Sequence, residues 1–269
     1  MSHHRMSSTE LTRPSRHIFL SPHYDDIALS AGGTARLLAM AGREPVIALL
    51  FGSEPDLSQP LTPFAEQMHV GWGLNTAEVV RDRRAEEAAA SVILGTVDEY
   101  LPFHDAIYRS DYYDTQEKLF DATHPDEAAL PGAIVDALGL GGESSPDTRI
   151  YAPVSIGFHV DHQTTFAAAK QLAEAGWDVW LYEDVPYALL GGSKQRRFDA
   201  VEGIIQAGPS VAIDDAWDAK MDAIMCFPSQ LPTIFDYVGV APDRESIAEA
   251  LRSYAAEGDA LVERFWVFQ

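Results

Sequence analysis

Short apolar runs of strand length alternate with longer segments of helical spacing along most of this chain. His17 to Leu20 is an apolar stretch that runs into Ser21-Pro22. Proline lacks the amide N–H that a strand ladder needs, so the pattern predicts a strand ending there. A loop follows, Pro22-His23-Tyr24-Asp25-Asp26. From Ala28 to Met40 the residues Leu29, Ala35, Leu37 and Leu38 fall on helical spacing, with Gly32-Gly33 as a soft spot near the start. Pro45 to Phe51 is a second run of strand length. Strand, loop, helix and strand in this order make a βαβ unit, which predicts parallel strands joined by a right-handed crossover.

The same reading continues downstream. Ser53 to Thr76, rich in Pro, Gly and polar residues, is expected as a long loop. Glu78 to Leu94 is expected as a helix with an Ala-rich face and a charged face carrying Arg81, Arg83, Arg84, Glu86 and Glu87. Asp98 to Phe103 reads as a short strand, Asp111 to Leu130 as an irregular lid or insertion, and Pro131 to Leu140 as a helix. Arg149 to Pro153 reads as a strand, Ser155 to His159 as a loop, and Asp161 to Ala175 as a helix. Trp177 to Tyr182 and Ser210 to Ile213 look like later strands, and Asp215 to Cys226 and Arg244 to Tyr254 like later helices. No repeat or linker interrupts the series. The expectation is one Rossmann-like α/β domain over residues 17–269, its mostly parallel sheet flanked by helices, behind a loose leader at 1–16. Ligands of such sheets sit beyond the carboxyl ends of the strands, so the loops at 22–26 and 155–162 should meet at one edge.

Composition narrows the chemistry. The 269 residues, 46% apolar and 22% charged, suffice for a full hydrophobic core. The single cysteine, Cys226, excludes an internal disulfide and a cysteine zinc knuckle, so a metal would have to be held by His, Asp and Glu. No run approaches the roughly 18 apolar residues that cross a bilayer. Met1 to Arg16 has no apolar signal core, which points to the cytoplasm. A net charge of −22 opposes nucleic-acid binding and otherwise reads as a solubilising surface. Self-association is left open.

Two clusters carry candidate chemistry: His23-Tyr24-Asp25-Asp26 and His159-Val160-Asp161-His162. Catalytic zinc takes about three protein ligands from His and carboxylates and keeps one position for water. One His and one Asp from the first loop with one His from the second supply that set. The adjacent carboxylates of Asp25 and Asp26 point in different directions, so one can ligate while the other serves as general base. The spare imidazole can stabilise a developing oxyanion. A His-His-carboxylate set also suits ferrous iron.

The segment Ser21-Pro22-His23-Tyr24-Asp25-Asp26-Ile27-Ala28-Leu29-Ser30-Ala31-Gly32-Gly33-Thr34 resembles the opening motif of the PIG-L/LmbE-like de-N-acetylase family, typically His-Pro-Asp-Asp-Glu followed by Gly-Gly-Thr. His159-Val160-Asp161-His162 resembles that family's second motif, usually His-Pro-Asp-His. Arg83-Arg84-Ala85-Glu86, Leu94-Gly95 and Ser229-Gln230 add further echoes in the same order. Tyr24, Ile27 and Val160 depart from the common pattern, whereas every ligand and base position is kept. The resemblance implies zinc ligands His23, Asp26 and His162, Asp25 as general base, His159 as electrostatic or general-acid partner, and Asp161 orienting a neighbouring histidine. It also implies a Rossmann-like, bacterial-type hydrolase that removes acetate from an N-acetylglucosamine-type small molecule, such as a glycolipid, thiol-cofactor precursor or antibiotic intermediate.

Other residues keep two readings at this stage. Arg83 is either a clamp for a polar substrate group or half of a helix-face ion pair with Glu86 or Glu87. Asp105 either binds sugar hydroxyls or caps the next turn. Gly32-Gly33-Thr34 either receives an anion at a helix start or permits close packing. Tyr182-Glu183-Asp184 lines a pocket or is simply exposed, and His3, His4, His17, His69, His104 and His124 are expected at the surface or as caps. Two alternatives to acetate release are a non-catalytic carbohydrate-binding or regulatory module and an amidase for a larger acyl group. A nucleotide-binding oxidoreductase would need a glycine fingerprint where two aspartates stand.

Overall fold

The computed structural model describes residues 3–56, 58, 60–74, 78–109 and 111–269. Its strands are β1 (His4–Arg5), β2 (Arg16–Ser21), β3 (Val46–Leu49), β4 (Val97–Tyr100), β5 (Thr148–Pro153), β6 (Asp178–Tyr182), β7 (Ile205–Ala212), β8 (Ala256–Glu257) and β9 (Ala260–Phe268). Its α-helices are α1 (Ser8–Leu11), α2 (Asp26–Ser30), α3 (Gly32–Met40), α4 (Pro63–Gly71), α5 (Val79–Leu94), α6 (Ala106–Arg109), α7 (Gln116–Leu119), α8 (Leu130–Ala137), α9 (Val160–Glu174), α10 (Ser193–Ala200), α11 (Trp217–Ile224), α12 (Leu231–Tyr237) and α13 (Arg244–Ala255). The strand order is β1-β7-β9-β6-β5-β2-β3-β4, with β8 pairing onto β9.

From β6 through β5, β2 and β3 to β4 every pairing is parallel, as the βαβ pattern predicts. β2 and β5 reach the centre because both of their faces are apolar: Phe19 packs into one core, and Ile18 and Leu20 into the core on the other face. α2, α3, α5, α11 and α13 cover the first face, and α8 and α9 the second. The register Ile18↔Ile150 and Phe19↔Tyr151 sets β2 and β5 side by side, so the loops leaving Ser21 and Pro153 start from adjacent points on one edge. β6, next to β5, ends at the same edge and delivers Glu183 and Asp184.

Several expectations are corrected. The segment read as a long loop, 53–76, holds α4, which Thr62 caps and Pro63 opens. The expected helix from Ala28 to Met40 is two helices, broken at Ala31. α10, α12 and the antiparallel strand β9, inserted between β6 and β7, were not anticipated. In place of a loose leader, His4–Arg5 pairs with β7, and α1 begins with a capping box formed by Ser7 and Glu10. His17 and His69 are buried rather than superficial.

The break between α2 and α3 has a visible cause. Glu263 on β9 reaches the start of α3 and accepts hydrogen bonds from the Gly33 amide (2.9 Å), the Thr34 amide (2.7 Å) and the Thr34 hydroxyl (2.6 Å). Lys220 of α11 donates to the same carboxylate at 2.6 Å. The glycine–glycine–threonine step therefore does receive an anion, and the anion is the chain's own side chain. A Cβ on Gly33 would stand 2.8 Å from the Ile213 side chain, so close packing is required there as well.

Two stability predictions follow from these buried groups. Glu263→Gln leaves Lys220 buried without its counter-charge, and urea denaturation should show a loss of about 3 kcal/mol. A smaller loss in Lys220→Met/Glu263→Leu would show that the pair serves register more than net stability. His17 accepts from the Tyr151 hydroxyl (3.1 Å) and donates to Pro14 O (2.9 Å), a neutral-ring arrangement, and burial pushes its pKa down to about 4. The unfolded chain takes up this proton near pH 6.5 and the folded chain does not. Its contribution is complete above that pH and declines as pH falls toward 4, by up to about 3 kcal/mol. Denaturation midpoints measured across this window should fall more steeply for the native protein than for His17→Gln.

Candidate functional site

The first site loop turns sharply after β2. The Ser21 hydroxyl donates to His23 O at 2.7 Å, and the His23 amide donates to Asp26 Oδ2 at 2.8 Å. Asp25 adopts φ +86°, and its amide donates to Glu87 Oε2 of α5 at 3.1 Å. The second loop, after β5, holds Ser155 and Phe158 at φ +70° and +67°. Among the described residues these three are the non-glycine residues with positive φ, and all lie in the two site loops. Each costs of order 1 kcal/mol or more and persists because its surroundings determine it. His159 then caps α9, its Nδ1 accepting from the Asp161 amide at 3.2 Å.

The two loops bring His23, Asp25, Asp26, His159, Asp161 and His162 together. His23 Nε2 lies 2.8 Å from Asp161 Oδ2, and His162 Nδ1 lies 2.7 Å from Asp184 Oδ1. Ionised carboxylates only accept, so these contacts assign the ring protons to His23 Nε2 and His162 Nδ1. The opposite nitrogens, His23 Nδ1 and His162 Nε2, both face Asp26, and each can ligate a cation once it carries no proton. Asp26 Oδ2 is 3.7 Å from His23 Nδ1 and 3.4 Å from His162 Nε2. His162 Nε2 is buried and has no hydrogen-bond partner. Candidate ligand nitrogens of His23, His159 and His162 lie within 4.8 Å of one another.

The electrostatics favour a cation here. Burial works against charge on His162, yet Asp26 and Asp184 outweigh it and raise its pKa to about 9. Burial likewise opposes the Asp161 carboxylate, but Arg109 and His23 hold it well below the usual range. Burial and the neighbouring Asp26 push the Asp25 carboxyl well up, with Arg83 opposing. Burial, with His23 beside it, pushes His159 well below the usual histidine value and keeps it neutral. Because its Nδ1 accepts from a backbone amide, neutral His159 carries its proton on Nε2.

A divalent metal fits these residues. Two imidazoles turn one nitrogen each toward one carboxylate, and the outer nitrogen of each is held by a further carboxylate, the usual support of metal-bound histidine. Without a metal, His162 holds a second proton at Nε2 opposite Asp26, and metal binding displaces it.

The centre lies at the bottom of a cleft lined by His23, Asp25, Asp26, Arg83, Asp105 and His159, with Trp72, Phe120, Tyr187 and Tyr237 on its apolar walls. Arg83 forms no ion pair with Glu86 or Glu87 among the described residues; Glu86 instead accepts from Ser229. Its guanidinium sits 4.9 Å from both the Tyr24 and Trp72 rings, and its buried Nε has no partner. Asp105 Oδ2 is 3.8 Å from His23 Nε2, while Oδ1 caps the turn by accepting from the Ile107 amide at 3.2 Å. Asp184 and Arg109 were not singled out as partners from the sequence. Glu183 and Asp184 are only 3% and 1% exposed, against the exposed reading of strand-end residues. The available signal was their position after β6, beside β5 at the ligand-binding edge.

Known proteins match this chain in sequence and in fold. Residues 18–173 match the family described as PIG-L, GlcNAc-PI de-N-acetylase. A 2'-N-acetylparomamine deacetylase of Streptomyces fradiae is 34% identical over 188 residues, covering 66% of this chain and 60% of the relative, so the match spans less than two thirds of that protein. The solved structure of an A40926 pseudoaglycone deacetylase is 26% identical with a TM-score of 0.70, covering 95% of this chain and 98% of the other. A teicoplanin deacetylase solved in a zinc-inhibited form shares the fold, at 24% identity and a TM-score of 0.73, covering 94% of this chain and 98% of its own. With more than half of its length matched, and both motif loops inside the matched span, the chain belongs to the PIG-L de-N-acetylase family.

Proposed function

We propose that this protein is a metal-dependent de-N-acetylase that releases acetate from an N-acetylated amino sugar of the antibiotic-intermediate type. The observation that carries this reading is the buried His162 Nε2, which makes no hydrogen bond and faces Asp26 beside His23, next to a cleft lined by Asp25 and His159. His23, Asp26 and His162 would hold the ion, zinc or ferrous iron by donor type. Such an ion supplies Lewis acidity, lowering the pKa of a coordinated water toward about 7 and polarising the amide carbonyl.

The remaining steps belong to the chain. Asp25, buried beside the ligands, takes a proton from the attacking water. The Nε2–H of His159 donates to the carbonyl oxygen as negative charge develops there. The proton held by Asp25 passes to the departing nitrogen, so the C–N bond breaks to give acetate and a free amine. Arg83, which lines the cleft, offers its guanidinium to a polar group of the substrate, and Asp105 a carboxylate oxygen to a sugar hydroxyl. The names of the matched relatives support an amino-sugar substrate, and 2'-N-acetylparomamine is the first compound to test. No described helix is long and apolar enough to cross a membrane.

The zinc-loaded protein should release acetate from 2'-N-acetylparomamine or a related N-acetyl aminoglycoside, read by amine appearance and mass spectrometry. Asp25→Asn should lower kcat roughly a hundredfold to ten-thousandfold while retaining the metal. His162→Ala should lose both metal and turnover. Undiminished turnover in Asp25→Asn would contradict the assignment. Faster release of longer acyl groups than of acetate would favour the larger-amide reading.

A further inference from the structure

Arg109, at the end of α6, contacts neither the cleft nor a ligand atom directly, yet its buried guanidinium joins two parts of the site. On one side Nη1 donates to Asp161 Oδ1 and, at 3.0 Å, to His104 O. The other Asp161 oxygen is the acceptor for His23 Nε2. On the opposite side Nε and Nη2 donate to the two oxygens of Glu127 at 2.7 and 3.1 Å. Glu127 also accepts from the Tyr113 hydroxyl at 2.7 Å, and that hydroxyl accepts from the His124 amide at 2.8 Å. The Phe51 and Tyr113 rings stand 4.9 and 5.6 Å from the guanidinium.

Residues 111–129 form one wall of the cleft through Gln116, Leu119 and Phe120, and Phe120 meets the His159 ring edge-on at a centroid distance of 5.2 Å. The two carboxylates on Arg109 are therefore the one that sets the His23 ring and the one that anchors this wall. A planar five-donor fork serves both and a backbone carbonyl at once, which a lysine ammonium does not match.

We propose that Arg109 is a positioning residue with two arms, fixing the tautomer and orientation of His23 through Asp161, and the placement of the Phe120 wall through Glu127. The first arm rests on the metal-centre reading given above.

The test compares native protein, Arg109→Lys and Glu127→Gln in three measurements: zinc affinity by competition with a chromophoric chelator, KM and kcat for 2'-N-acetylparomamine, and long-range 1H–15N spectra of the histidine rings in metal-free protein. Arg109→Lys should weaken zinc binding roughly tenfold to a hundredfold. It should also raise KM and convert His23 from a single Nε2–H form to a mixture. Glu127→Gln should raise KM with zinc affinity and His23 tautomer unchanged, a split that general destabilisation does not produce. Native zinc affinity and a single His23 tautomer in folded Arg109→Lys would overturn the first arm, and an unchanged KM in Glu127→Gln would overturn the second. If Arg109→Lys does not fold, the native protein's own His23 spectrum decides the first arm, a mixture of tautomers overturning it, and the KM of Glu127→Gln decides the second. Absence of zinc binding in the native protein would instead defeat the metal reading, and the His23 spectra would still report on Arg109.

Discussion

Two buried carboxylate–imidazole pairs, Asp161 with His23 and Asp184 with His162, determine the rest of this site. Each pair holds one ring nitrogen outward and leaves the other facing Asp26, where a proton or a metal ion can bind. With neither a proton nor a cation, such an arrangement is unfavourable, because it sets lone pairs and a carboxylate against one another in a dry pocket. It becomes favourable when a divalent cation neutralises them. Asp25 and His159 line the cleft beside these pairs, where the proposed reaction needs a base and an oxyanion donor.

The fold supplies these pairs from three neighbouring strands. β2 delivers His23, Asp25 and Asp26, β5 delivers His159, Asp161 and His162, and β6 delivers Asp184, all at one carboxyl edge. Backbone strain at Asp25, Ser155 and Phe158 is the local consequence of turning so many polar groups inward within a few residues. Support comes from further out. Glu263 caps α3 behind the first loop, and Arg109 neutralises the carboxylate that holds His23.

Much of this was legible from residue order. The apolar runs at 17–20, 45–51 and 149–153 give the three central strands, and the polar clusters directly after the first and third locate the site. What was not legible depends on distant partners. β9 was missed because Glu263 and Arg264 interrupt its apolar alternation, and the reason for that interruption lies on α3 and α11, far away in sequence. For Asp184 the sequence left a pocket-lining and an exposed reading open, and the position of β6 beside β5 decides for the first. Arg109 lay at the edge of a segment without periodicity, where only the folded chain shows the two carboxylates that flank it. α4 is different: Thr62-Pro63 is a fair start signal, and the richness of its surroundings in loop residues obscured it.

The most direct measurement is anomalous diffraction at the zinc edge from crystals of the zinc-loaded protein. The account predicts a single peak about 2.0–2.2 Å from His23 Nδ1, an Asp26 carboxylate oxygen and His162 Nε2, with Asp25 and His159 unbound. A peak coordinated by His159 in place of Asp26, or no peak between the two loops, would contradict it.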